Sequence, residues 1–380
     1  MKSLKLQGES LVTGINSLEY LKEIDFERAI IITGGTSMIK TGIIDKVQKY
    51  LTKEGKNICL YSGIGKNPTT EEVLDGVKKF NEFKPDLVVA VGGGSPIDAA
   101  KVMALFYEYP RLNFDNVFTE NLPQKRYKTK FVAIPSTSGT ASEVTHVSVV
   151  TFKEKGIKLA IKAESLRPDI AILDGNIPCT LPYNIAVETG IDALTHALEC
   201  YINKSLDDFT EVISKGAIEG IIKWLPISCK QGDAESRQKV HNYQCMAGMG
   251  FSNAGLGMVH GISHAFGGKY NLAHGLTNAI ILPYSMDYNK KDPEVKERYE
   301  TLSKMIGSDI IVKVKEINKD LGLPSCIQDT GITEEQFKAD YDLLVNNAMK
   351  GSTVVNPIKI SIEDMRKIIN CVYYGEEITF

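Results

Sequence analysis

Residues 86–98 read DLVVAVGGGSPID, and this stretch decides the architecture. Asp86–Val91 is a short, largely β-branched run stopped by glycine, which predicts a buried strand. Gly92, Gly93, Gly94 and Ser95 then turn the chain. Pro96 follows at the start of a helix, where its missing N–H costs nothing. A strand that runs through glycines into a helix offers free backbone N–H groups and the positive end of a helix dipole, with room for a pyrophosphate. The dinucleotide fingerprint G-x-G-x-x-G is not matched, because Asp98 and Ala99 follow instead.

The same alternation continues on both sides. Upstream, Arg28–Thr33 (RAIIIT) predicts a strand ending in Gly34-Gly35, and Ile43, Val47 and Leu51 space a helix. Asn57–Tyr61 predicts another strand, and Thr70–Phe83 a helix whose Thr-Thr-Glu-Glu start suits an N-terminus. Downstream, Lys130–Ile134 predicts a strand leading into PSTSGTASE, and Val147–Phe152 with Lys158–Ala163 an added pair of strands. Strands alternating with helices imply a doubly wound, Rossmann-like parallel sheet. After Asp174 the texture changes, and from Leu181 the apolar spacing is helical. Helices are expected over 206–224, 236–253, 256–266, 276–288, 295–305 and 334–347. The expectation is therefore an α/β domain at 1–182 followed by an all-helical domain at 183–380.

Bulk properties bound the function. Hydrophobic residues make up 43% and charged residues 24%, ordinary for a soluble globular chain, and a net charge of −3 argues against nucleic-acid or membrane surfaces. A long stretch free of Asp, Glu, Lys and Arg, His241–Gly268, contains 7 glycines and 3 histidines, which lipid would tolerate poorly. It reads as protein interior. The opening MKSLKLQGES lacks the apolar core of a signal peptide. Seven scattered cysteines, none in a C-x-x-C pair, fit reduced thiols in a cytoplasm.

Two clusters carry chemistry. In GIDALTHALE, Asp192 and His196 stand four residues apart, one helical turn or about 6 Å, so both side chains leave the same face. A carboxylate and an imidazole so placed can close on one divalent ion. Ile191, Leu194, Ala197 and Leu198 surround the pair, and a buried carboxylate needs a partner. In GLGMVHGISHAFGGKYNLAHG, half of the 6 histidines fall together: His260, His264 and His274. Glycines between them remove side-chain bulk where backbone or a ligand comes close.

These motifs, D-x-x-x-H, N-A-G-L-G-M-V-H-G-I-S-H and N-L-A-H-G, with Gly92–Asp98 and Pro135–Thr140, resemble the iron-containing (group III) alcohol dehydrogenase family along essentially the whole chain. The resemblance implies an oxidoreductase that moves hydride between NAD(P)H and a small aliphatic alcohol or aldehyde. It makes Asp192, His196, His260 and His274 the metal ligands and places His264 beside the nicotinamide but off the metal, to relay a proton or position the ring. Gly92–Ser95, Asp98, Thr137, Ser138 and Lys158 would line the cofactor site. One carboxylate and three imidazoles suit Fe²⁺ or Zn²⁺ rather than Ca²⁺ or Mg²⁺.

One departure bears on the cofactor. NAD-preferring relatives tend to carry an aspartate after the first strand, which suits a free ribose 2′-OH. This chain has Gly35-Thr36-Ser37 there, similar to the loop of NADPH-using butanol dehydrogenases and aldehyde reductases. The Thr36 and Ser37 hydroxyls and the Lys40 charge suit a 2′-phosphate, so the expectation is NADP(H) over NAD(H). Phe251, Asn253 and Met258 suggest a mostly apolar substrate pocket. The alternatives are a glycerol or diol dehydrogenase of the same superfamily, and a dehydroquinate synthase-like lyase, whose metal usually takes a glutamate and two histidines. Relatives imply a homodimer or a larger homo-oligomer.

Overall fold

The computed structural model describes residues 3–153 and 157–380; Met1 and Lys2, which begin the polar N-terminal stretch, lie outside the described residues. The chain divides into two units, one of residues up to Leu181 plus Asp233–Cys245, the other of Pro182–Gly232 and Met246–Phe380.

The first unit is built on eight strands: β1 Ser10–Thr13, β2 Arg28–Gly34, β3 Asn57–Ile64, β4 Leu87–Gly92, β5 Lys130–Pro135, β6 Val147–Phe152, β7 Ile157–Lys162 and β8 Ile170–Leu173. Six of them form a sheet in the order β1-β8-β5-β4-β2-β3, every pair parallel. Its helices are α1 Ser37–Lys40, α2 Ile43–Leu51, α3 Thr70–Phe83 and α4 Gly94–Glu108. Side chains alternate across a strand, and here both faces are covered. Ile30, Ile32, Val88 and Ala90 join one buried cluster with α3 and α4, while Ala29, Ile31, Val89 and Val91 join another with α2. Two-sided burial is why these strands read as continuous apolar runs. The Thr-Thr-Glu-Glu signal becomes a capping box, with Glu72 N donating to Thr69 Oγ1 at 3.2 Å and Thr69 N to Glu72 Oε2 at 2.8 Å.

The winding places the ligand side. β3 lies on one flank of β2 and β4 on the other, so the chain reverses direction between β2 and β4. Crevices at such reversals, beyond the carboxyl ends of the strands, are where doubly wound sheets hold ligands. Gly34-Gly35 and Gly92–Gly94 sit at those two ends. The β6–β7 pair is antiparallel and separate from the main sheet.

The second unit is helical throughout its described residues: α5 Tyr183–Tyr201, α6 Asp208–Gln231, the latter part of α7 Ala234–Ala254, then α8 Met258–Tyr270, α9 His274–Asn289, α10 Pro293–Ile306, α11 Ile310–Asp320, α12 Glu334–Ala348 and α13 Ile362–Tyr374. From Gly190 to Tyr201 every residue of α5 is buried, as expected of a helix enclosed on all sides. Among the described residues no helix is long and apolar enough to cross a membrane.

Five elements are absent from the sequence reading: β1, α1, β8, α11 and α13. The first unit also takes in Asp233–Cys245, a stretch inside the expected 183–380 helical domain. The cause is a set of polar contacts distant in sequence. Gln238 accepts from Gly175 N at 2.6 Å and donates to the Leu173 carbonyl at 3.0 Å, and Gln244 donates to Glu143 Oε1 at 2.6 Å. His241, fully buried, pairs its Nδ1 with Ser138 Oγ at 2.9 Å.

Burial pushes His241 down to about 4 from its ordinary imidazole value, which the Pro135 backbone only partly opposes. The unfolded chain therefore binds the extra proton first as pH falls, and stability drops between about pH 6.5 and pH 4, by about 3 kcal/mol for this group. His241→Asn retains a partner for Ser138 and cannot titrate. Urea unfolding of the first unit across that window is expected to show a flatter pH profile for the variant than for the parent; parallel profiles would contradict the assignment.

Candidate metal centre and nucleotide loops

Helices α5, α8 and α9 each bring ligand-forming side chains to one point. Asp192 and His196 lie one turn apart in the buried stretch of α5, His260 falls in the first turn of α8, and His274 opens α9. Three imidazole nitrogens converge on one oxygen: Asp192 Oδ1 stands 3.8 Å from His196 Nε2, 3.7 Å from His260 Nε2 and 3.6 Å from His274 Nε2. The ligand atoms of Asp192, His260 and His274 all lie within 4.8 Å of one another. Tetrahedral coordination at about 2.1 Å sets ligand atoms roughly 3.4 Å apart, so this donor set fits one divalent transition ion after small adjustments.

The electrostatics agree with the geometry. Burial raises the Asp192 carboxyl, but the imidazoles of His196, His274 and His260 outweigh it and hold the group well below the usual carboxylate range. Burial lowers His274 well below an ordinary imidazole, against the pull of Asp192, which favours the neutral form that binds metal. His260 is the opposite case: burial lowers it, yet Glu199 and then Asp192 push it up to about 9.

Around this point the packing is specific. Phe251 stacks on His196 with ring centroids 4.4 Å apart, and His196 stacks on His260 at 4.6 Å. Asn278, one turn after His274, donates to Asp192 Oδ1 at 2.7 Å. His264 is exposed and stands outside the donor group, its ring stacked on His274 at 5.0 Å and 6.1 Å from His260. Of the expected pocket residues, Phe251 packs on a metal-site side chain. Asn253 donates to the Met249 carbonyl of its own helix, and Met258 is fully buried.

Asn278 and Glu199 are missing from the sequence reading. Both carried a visible signal, since Glu199 lies seven residues after Asp192 and Asn278 four after His274, spacings that share a helix face.

The nucleotide candidates gather at the reversal of the sheet. Gly92 has φ +145°, and a Cβ there would lie 2.6 Å from Pro96 Cγ, so the turn requires glycine. A Cβ at Gly94 would meet Thr140 Oγ1 at 2.8 Å, which puts the 136–140 loop against the start of α4. Helix α4 begins at Gly94, two residues before Pro96. Ser95 Oγ donates to the Lys66 carbonyl at 2.5 Å, and Lys158 Nζ to Asn67 Oδ1 at 2.8 Å. Thr137 is half-buried in its loop. Two further candidates are likewise engaged within the protein. Asp98 accepts from Ser142 Oγ at 2.5 Å and Val149 N at 2.9 Å, tying β6 to α4, and Ser138 is buried against His241. Gly35, Thr36 and Ser37 are exposed at the end of β2, and nothing lies within 4 Å of a Cβ built at Gly35.

A doubly wound domain with a glycine-lined helix start, joined in one chain to a buried carboxylate–imidazole cluster, defines a metal-dependent dehydrogenase. The sequence model of iron-containing alcohol dehydrogenases matches residues 10–175, and that of the Fe-containing alcohol dehydrogenase family's C-terminal part matches residues 186–373. The chain belongs to the iron-containing alcohol dehydrogenase family. It is 40% identical to an NADPH-dependent butanol dehydrogenase of Clostridium saccharobutylicum, over 97% of each protein. It is 34% identical to an aldehyde-alcohol dehydrogenase of Streptococcus pneumoniae over 95% of this chain, but spans only 45% of that longer protein. An iron-containing alcohol dehydrogenase from Thermococcus thioreducens superposes with a TM-score of 0.91 at 34% identity, covering 99% of this chain and 100% of the other.

The α5–α9 contact beside His274 has no slack. A Cβ at Gly275 would lie 2.0 Å from the Glu188 carbonyl oxygen, a backbone atom. Gly275→Ala must therefore separate the two helices and draw His274 from Asp192. The expected result is at least a tenfold weaker Zn²⁺ affinity by competitive titration; an unchanged affinity would show that the helices yield without moving the ligand.

Proposed function

We propose that this alcohol dehydrogenase reduces short aliphatic aldehydes with NADPH in preference to NADH, using one divalent ion, Fe²⁺ or Zn²⁺, held by Asp192, His196, His260 and His274. The cofactor preference is carried by the exposed, acid-free turn Gly35-Thr36-Ser37, with Lys40 one helical turn on. The likeness to the butanol dehydrogenase supports the same reading.

When bound, the ion polarises the substrate oxygen as a Lewis acid and the nicotinamide carries the hydride. Everything else falls to the chain. Asp192 and the three imidazoles present their lone pairs to a common point. Phe251 closes one side of that point with an apolar face, excluding water beside His196. The start of α4 offers N–H groups and dipole to a pyrophosphate, and the Thr137 hydroxyl adds a donor near it. Asp98 and Ser138 serve by holding β6 and the 136–140 loop in place. His264, exposed beside His274, relays a proton at its imidazole or steadies the nicotinamide. None of the seven cysteines is in a disulfide, in keeping with a reducing cytoplasm. We further propose that the chain works as a homodimer or larger homo-oligomer.

The loop makes a quantitative prediction. Unit charges about 6 Å apart at an effective dielectric near 20 repel by roughly 3 kcal/mol, which solvent at an exposed turn reduces. NADPH is expected to give at least tenfold higher kcat/KM than NADH on an aldehyde panel, and Gly35→Asp to cost NADPH at least tenfold while sparing NADH. A parent enzyme faster with NADH would refute the preference. Stripping the metal with a chelator is expected to abolish turnover, and Fe²⁺ or Zn²⁺ to restore it; full activity in the metal-free protein would refute the centre itself.

A further inference from the structure

We propose that Glu199 is a positioning residue of the metal centre, which fixes the proton of His260 on Nδ1 and so leaves the Nε2 lone pair facing Asp192. The inference rests on the metal reading above and concerns which side chain makes His260 a ligand.

A neutral imidazole has one N–H and one bare nitrogen, and only the bare nitrogen can coordinate. Glu199 is 3% exposed, and its Oε2 lies 2.5 Å from His260 Nδ1. A carboxylate oxygen accepts, so the ring donates there, and in the neutral ring the bare nitrogen is then Nε2, the atom 3.7 Å from Asp192 Oδ1. His274 is held differently: its Nδ1 meets Ser263 Oγ at 3.1 Å, a hydroxyl that can donate or accept, and the Asn278 amide nitrogen stands 3.2 Å from its Nε2.

The second oxygen of Glu199 has a different partner. Oε1 accepts from Val259 N at 2.7 Å, satisfying one of the orphan N–H groups in the first turn of α8. One side chain thus sets both where α8 begins and how its histidine turns. It reaches both from α5, where Asp192, His196 and Glu199 follow at i, i+4 and i+7 and so share a face.

Glu199→Gln separates these duties. The amide oxygen can still accept from Val259 N, which turns the NH₂ toward His260 Nδ1. The ring must then accept there and carry its proton on Nε2, toward the ligand point. The whole protein, stripped of metal, would be titrated with Zn²⁺ against a chromophoric chelator, and with Co²⁺ for its visible spectrum. E199Q is expected to bind Zn²⁺ about 10- to 100-fold more weakly, with a changed Co²⁺ spectrum and a metal-free Tm close to the parent's. In a His260→Ala background, E199Q is expected to cause no further loss of affinity, because its effect runs through that ring. Parent-like Zn²⁺ affinity in E199Q, or an equal loss in both backgrounds, would overturn the proposal. Histidine-selective ¹⁵N NMR of the zinc-loaded parent needs no variant: it should find the His260 proton on Nδ1, and a proton on Nε2 would overturn the proposal as well. A parent that binds neither ion would instead bring down the metal reading, and this inference with it.

Discussion

A carboxylate that is 4% exposed in a helix walled by apolar neighbours is the constraint on which the helical unit depends. Left alone, Asp192 would cost several kcal/mol or take up a proton. The protein answers with three imidazoles and the Asn278 amide, drawn from its own helix and from two others. To deliver them, α8 and α9 must both begin beside α5, and their starts are specified accordingly. Glu199 caps one, and Gly275 lets the other approach the α5 backbone. Stability and site are here one problem. A centre that pulls positive charge or metal toward a buried acid also pins the helices that carry it.

The sheet unit works by a different economy. Its candidate ligand end is made of backbone and small residues, which on the proposed reading leaves a helix dipole and free N–H groups to the cofactor. The polar side chains nearby are spent internally. Asp98 and Ser138, both of which resemblance would put on the cofactor, hold β6 and the 136–140 loop through hydrogen bonds to Val149, Ser142 and His241. A residue in a binding motif can be there to shape the loop that binds.

How far the sequence could be read follows from what each signal needs. The strands β2, β4 and β5 were legible because burial on both faces makes them continuous apolar runs, whereas β3, at the sheet edge, is only partly buried. Helix α3 was legible down to its capping box. β1 and β8 are only four residues each, too short for a pattern to accumulate; β8 pairs between β5 and β1, and β1 forms the edge of the sheet. Helices α11 and α13 are different: Ile310, Val314 and Ile317, or Met365, Ile368, Ile369 and Val372, carry helical spacing that reading from motif to motif passes over. The first part of α7 could not be assigned from spacing at all. Its allegiance to the sheet is decided by Gln238, His241 and Gln244, whose partners lie more than 60 residues away in sequence.

The same distinction runs through the metal centre. Asp192 and His196 were visible as a pair because one helix fixes their spacing. No local rule joins them to His260 and His274, since the angle between helices is set by packing, and only resemblance brought the four together. Glu199 lies between these cases. Its position, a turn beyond His196, was as readable as theirs, but a carboxylate on a buried helix face has no stated purpose until the ring it meets is known. Helical periodicity finds the residues that share a face. It takes the fold to say which of them bind, and which make the binders bind.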